Sequence, residues 1–134
     1  MHLAPSQRTM REELRKFGVD YCYPCFASAY DITKAFSYCA HPRTAFIACT
    51  ESNELLLYID GPGEGKHIAI ARNEADDPEL KKAALLPSHI LRIGGVYEGE
   101  RYRYKLIIPH RIFAQFPGQR ENSAELLSFI GNWI

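Results

Sequence analysis

TAFIACTESNELLLYIDGPGEGKHIAIAR, residues 44–72, is the stretch whose periodicity decides the fold. Thr44–Thr50 is apolar on both alternating faces, as a strand covered on two sides must be. Glu51-Ser52-Asn53 supplies a turn, and Glu54–Asp60 (ELLLYID) reads as a second strand. Gly61-Pro62-Gly63-Glu64-Gly65 suits neither helix nor strand. In Lys66–Arg72 the side chains alternate, with Ile68 and Ile70 on one face and His67, Ala69 and Ala71 on the other. Three strands joined by short turns predict an antiparallel meander.

Elements on either side complete the reading. Thr9-Met10-Arg11-Glu12 has the form of a capping box, and Met10, Leu14 and Phe17 share one helical face up to Gly18. A second helix is expected from Pro24 to His41-Pro42, because Cys25, Ala29, Ile32, Phe36 and Cys39 recur at helical spacing. Asp77-Pro78-Glu79 predicts a short helix to about Leu86. Ser88–Ile93 reads as a strand, Gly94-Gly95 as a turn, and Val96-Tyr97 with Glu100–Ile108 as a hairpin around Glu98-Gly99. Asn122-Ser123-Ala124-Glu125 opens a last helix burying Leu126, Leu127, Ile130 and Trp133. The expected fold class is therefore α+β: one domain over residues 1–134, a largely antiparallel sheet of about five strands, and helices from both chain ends packed against it.

Composition bounds the function. The length of 134 residues suits one domain, since domains commonly run about 100–200 residues. Sixteen basic and sixteen acidic side chains cancel, which removes the global attraction to nucleic acid or anionic membrane. No apolar run approaches the roughly 18 residues of a membrane span, and the first residues lack a secretory pattern. A cytoplasmic protein with reduced cysteines and no cofactor is expected. The charge is nevertheless segregated: residues 51–79 carry eight acids against Lys66 and Arg72, whereas residues 80–134 carry eight bases against four acids.

The cysteines raise three chemical possibilities. Cys22-Tyr23-Pro24-Cys25 resembles the Cys-x-Pro-Cys motif of thioredoxin-type proteins, although too little chain precedes it for the βαβ layer that presents that motif. Cys22, Cys25, Cys39 and His41 could ligate zinc only if the helix breaks, since Cys25 and Cys39 would lie about 21 Å apart on a straight one. Cys25 at a helix start followed by His67 on a strand could form a thiol–imidazole pair. Over residues 22–72 this order of elements resembles papain-like and cell-wall amidase folds, without their motifs around the nucleophile. The resemblance implies Cys25 as nucleophile and His67 as base of a thiol hydrolase. The competing account makes Cys25 a small core residue.

Gly61–Lys66 is not a phosphate loop, because a strand beginning with His67 follows where a helix with Ser or Thr is required. Arg101, Arg103 and Lys105 alternate with Tyr102 and Tyr104, so the cations share a face that the tyrosines do not. The favoured expectation is a small non-catalytic binding domain, of adaptor, inhibitor or regulatory type. Arg101, Arg103 and Lys105 would meet an acidic patch on another protein.

Overall fold

The computed structural model describes residues 5–33, 41–61, 63–84, 87–111 and 115–134. It is mostly β, with helix α1 (Gln7–Arg15), strands β1 (Cys22–Asp31), β2 (Arg43–Cys49), β3 (Glu54–Ile59), β4 (Lys66–Ala71), β5 (Asp76–Lys82), β6 (Ser88–Tyr97) and β7 (Glu100–Pro109), and helix α2 (Gln119–Gly131). The strands form one antiparallel sheet in the order β4-β3-β2-β1-β7-β6-β5, so the sheet has seven strands where about five were expected.

The connection between the outermost strands forces this sheet to curl. Residues 72–75, including a single 3-10 turn at Arg72–Glu74, are all that separate β4 from β5. Such a link reaches at most about 18 Å. Seven strands laid flat would hold their edges roughly 29 Å apart at the usual spacing of about 4.8 Å. Curling removes the mismatch, and β4 comes into contact with β6 across the concave side.

The two helices cover opposite faces. On the inner face Leu126 and Ile130 of α2, with Trp133 just beyond its end, pack against a core that includes Cys25, Ala27 and Ala29 of β1. On the outer face Met10 and Leu14 of α1 pack against Phe46, Ala48, Leu56 and Tyr58 of β2 and β3. The box that caps α1 lies one turn earlier than expected: Thr9 N–H donates to Ser6 Oγ at 3.2 Å and Ser6 N–H to Thr9 Oγ1 at 2.9 Å. α2 likewise begins at Gln119 rather than Asn122, and Leu127 is only partly buried.

Two predicted helices are strands. Cys25, Ala27 and Ala29 are sealed while Phe26, Ser28 and Tyr30 are half-buried, a period of two where the sequence also allowed a helical stripe. Pro24 sits in a β-bulge between Cys22 and Cys25, with Tyr23 at φ 56°, so its missing N–H is tolerated. The expected continuation through Phe36 and Cys39 lies outside the described residues. Asp77-Pro78 also forms a bulge, with Asp77 at φ 41°, and the rest of β5 pairs with β6 from Glu79↔Arg92 to Lys82↔His89. Helix-start chemistry was overridden there by a waiting partner strand.

Gly94-Gly95 does not turn the chain. A Cβ at Gly94 would come within 2.8 Å of the Tyr102 carbonyl, and one at Gly95 within 3.0 Å of the Tyr102 hydroxyl. The glycines let β6 run close against β7 without a break. The meander of β2, β3 and β4 and the hairpin at Glu98-Gly99 match the sequence reading.

Candidate functional site

α1 lies over β2 and β3, which leaves the outer face of β1, β7, β6 and β5 without a helix upon it among the described residues. Register identifies what that face carries. Tyr30↔Lys105 and Ser28↔Ile107 align β1 with β7. Arg92↔Lys105, Ile90↔Ile107 and Val96↔Arg101 align β7 with β6. Lys81↔Ile90 and Glu79↔Arg92 extend the rows to β5. Ile90, Ile107 and Tyr30 are therefore an apolar patch, half-buried, with Lys81, Arg92 and Lys105 around it and Arg101 and Arg103 further along β7. Glu79 is the carboxylate in those rows.

The five cations have different duties. Arg103 donates to the backbone carbonyls of Asp76 and Asp77 at 3.1 and 3.3 Å, which ties the β5 bulge to β7. Lys105 holds its Nζ 5.7 Å from the centre of the Tyr30 ring, a cation–π contact. Arg101 is exposed at the hairpin end, and Val96 opposite it is 60% exposed. Lys81, Arg92, Arg101 and Lys105 form no ion pair with a carboxylate among the described residues. Alternation in Ile90-Leu91-Arg92 could have added Arg92 to the expected set. Lys81 was hidden because its strand was read as a helix.

Cys25 and His67 are not brought together. Cys25↔Ile47, Ile47↔Leu57 and Leu57↔Ile68 form one row on the inner face. His67 belongs to the neighbouring row, Phe26↔Phe46, Phe46↔Tyr58 and Tyr58↔His67, which points outward. The sheet stands between them, over three strand spacings or about 14 Å. Cys25 is fully buried and donates to the Tyr23 carbonyl at 3.5 Å. Burial, reinforced by Cys49, pushes its thiol up to about 12. Such a group is a core filler and a poor nucleophile at neutral pH.

His67 serves α1 instead. Its Nε2 donates to Glu13 Oε1 at 3.1 Å, since a carboxylate can only accept, and Lys16 Nζ lies 2.9 Å from the same oxygen. The Phe17 and Tyr58 rings flank the imidazole, with centroids 5.3 and 4.8 Å away. This is a polar clamp between α1 and β4. Among the described residues no thiol is part of it.

Of the four candidate zinc ligands, Cys39 lies outside the described residues. Cys22 pairs with Cys49 at one end of the β1–β2 ladder, whereas His41 precedes Arg43 at the other end. Among the described residues no three His, Cys, Asp or Glu side chains are grouped to hold a metal ion. No helix among those residues is long and apolar enough to cross a membrane. No protein-family model matches the chain, and no curated protein sequence is significantly similar to it.

Proposed function

We propose that the protein is a non-catalytic binding domain that docks an acidic partner protein on the outer face of β1, β7, β6 and β5. What carries the reading is the set of cations on that face, Lys81, Arg92, Arg101 and Lys105, which surround or flank an apolar patch and have no carboxylate partner among the described residues. An apolar centre supplies burial on docking, and the surrounding charge steers the encounter and selects the partner. Only Tyr30 offers an aromatic ring in those rows, so stacking of successive bases has little support. The setting is cytoplasmic, which the free thiols of Cys22, Cys25 and Cys49 suit.

The test titrates the protein with a fluorescent polyglutamate peptide and, separately, with a single-stranded oligonucleotide of equal charge. The peptide should bind more tightly, more weakly as salt rises, and roughly tenfold more weakly to the double variant R92E/K105E. Equal peptide binding by the variant, or tighter binding of the oligonucleotide, would overturn the proposal.

A further inference from the structure

Cys22 and Cys49 stand directly opposite one another on β1 and β2. Both side chains belong to the inner face, since each packs with the core that α2 covers. Residues opposed in an antiparallel pair have Cα atoms about 4.5–5.5 Å apart. A disulfide needs about 4.4–6.8 Å between Cα atoms, with side chains directed to the same side. The register meets that requirement without moving either strand.

The sulfur of Cys49 already leans across the ladder, where it donates to the Cys22 carbonyl at 3.6 Å. Both thiols are free, and their surroundings differ. Cys22 is partly exposed, within reach of a dissolved oxidant, whereas Cys49 is 3% exposed and shielded from bulky reagents. One thiol is therefore placed to react first and the other to react with the product.

Cys25 is less well placed to be the second thiol. It faces Ile47, which makes Cys49 its diagonal neighbour at about 7–8 Å, beyond bridging range. The bulge at Tyr23-Pro24 sets Cys22 and Cys25 about 6.7 Å apart along the strand, at the limit of that range. Cys25 is also sealed in the core and donates to the Tyr23 carbonyl at 3.5 Å. The same bulge separates the Cys22↔Cys49 rung from the continuous ladder that begins at Cys25↔Ile47. That rung can adjust its side-chain torsions with little disturbance to the sheet.

We propose that Cys22 and Cys49 form a reversible thiol–disulfide pair, closed by a small disulfide and reopened by a small thiol. The Cys22 thiolate attacks one sulfur of the small disulfide and displaces the other as a thiolate, which takes up the proton that Cys22 released. Cys49 then gives up its proton and attacks the Cys22 sulfur, forming the Cys22–Cys49 bond and expelling the second small thiol. Two protein thiols are oxidised and one small disulfide is reduced to two thiols. Burial above all raises the Cys49 thiol to about 11, which slows the second step. The mixed disulfide stands directly opposite, so the attack is intramolecular and proceeds despite that. In a reducing setting the pair rests as thiols, and its closure registers oxidation. The pair lies on the inner side of the sheet and does not depend on the acidic-partner surface.

The experiment incubates the full native chain with mixtures of reduced and oxidised glutathione, blocks remaining thiols with N-ethylmaleimide and maps bridges by peptide mass without reduction. Oxidised glutathione should produce a Cys22–Cys49 bridge, and dithiothreitol should restore both thiols. Cys49→Ala should stop the reaction at a glutathione adduct on Cys22, and Cys22→Ala should abolish the bridge. Cys22 is partly exposed, so its variant reports even if the Cys49 variant folds poorly. The bridged protein should unfold roughly 5–10 °C higher, because the bridge closes a loop of about 28 residues in the unfolded chain. A bridge through Cys25 or Cys39, a bridge formed only in urea, or a Cys22 adduct that never resolves in the unsubstituted chain would each overturn the proposal. So would a lower thermal midpoint in the bridged protein, or no reaction at any glutathione ratio.

Discussion

The side-chain amide of Gln119 takes the place of a strand for Phe26. Phe26 N–H donates to Gln119 Oε1 at 2.8 Å, and Gln119 Nε2 donates back to the Phe26 carbonyl at 3.0 Å and to the Pro109 carbonyl at 2.8 Å. The β1–β7 pairing runs only from Ser28 to Asp31, and β7 ends at Pro109, which has no N–H. The first residue of α2 therefore completes the ladder where the sheet cannot. Docking of that helix and closure of the sheet become one event.

Gln119→Leu should accordingly cost far more than an ordinary helix-end substitution. Gln119 is 2% exposed, so leucine would leave the Phe26 N–H and two carbonyls buried without partners. Each unsatisfied group costs about 1–3 kcal/mol, which gives a loss on the order of 3 kcal/mol after partial relaxation. Urea denaturation checks this; a loss below about 1 kcal/mol would mean that the amide is not structurally required.

The parts legible in the sequence are those whose pattern admits one period. β2 from Ala45 and β3 from Leu55 are continuous apolar runs, and β4 alternates, so the meander could be read directly. In β1 the decisive side chains, Cys25, Ala27 and Ala29, are small, and Ala29 belongs to a two-residue repeat and to a helical stripe alike. Only partner strands on both sides settle the choice, and those are long-range facts. The candidate cations on β7 were legible through their alternation. The curl of the sheet was not, because it depends on strands at opposite ends of the strand order being joined by residues 72–75.

Gly65 tests the packing of the outer face. A Cβ there would overlap the Tyr58 ring, whereas one at Gly63 would meet nothing within 4 Å. Tyr58 cannot retreat freely, since it stacks on Phe46 and donates to Asp60 Oδ1 at 3.3 Å. Gly65→Ala should lower stability by about 1–3 kcal/mol through overpacking. Gly63→Ala should change it by less than about 0.5 kcal/mol. Thermal unfolding of the two variants in parallel gives the comparison.

Thiol labelling should follow burial. With its thiol pushed up to about 12, Cys25 exposes roughly one thiolate in 10⁵ at pH 7, and its sulfur is sealed in the core. Cys49, raised to about 11 mainly by burial, should also be slow, while the partly exposed Cys22 reacts first of these three. Iodoacetamide labelling of the native protein, mapped by peptide mass, should modify Cys25 only on denaturation. Rapid native labelling of Cys25 would contradict its placement beneath α2.

The two histidines at the base of the β6–β7 hairpin should make stability fall in mild acid. His89 Nδ1 and His110 Nε2 are 2.6 Å apart, a distance that accommodates one proton between the rings. A second proton would set two N–H groups face to face, with Lys82 of β5 adding to the repulsion on His89. Burial first, then His110 and Lys82, lowers the His89 pKa from its ordinary value near 6.5. The unfolded chain thus binds protons at a pH where folded His89 still resists them. Stability from this group is present in full above about pH 6.5 and drains as pH drops through the folded pKa. The urea midpoint should fall on going from pH 7 toward pH 5, before most carboxylates titrate. His110→Asn removes the facing imidazole and should flatten that slope; a slope unchanged in the variant would assign the acid sensitivity to other groups.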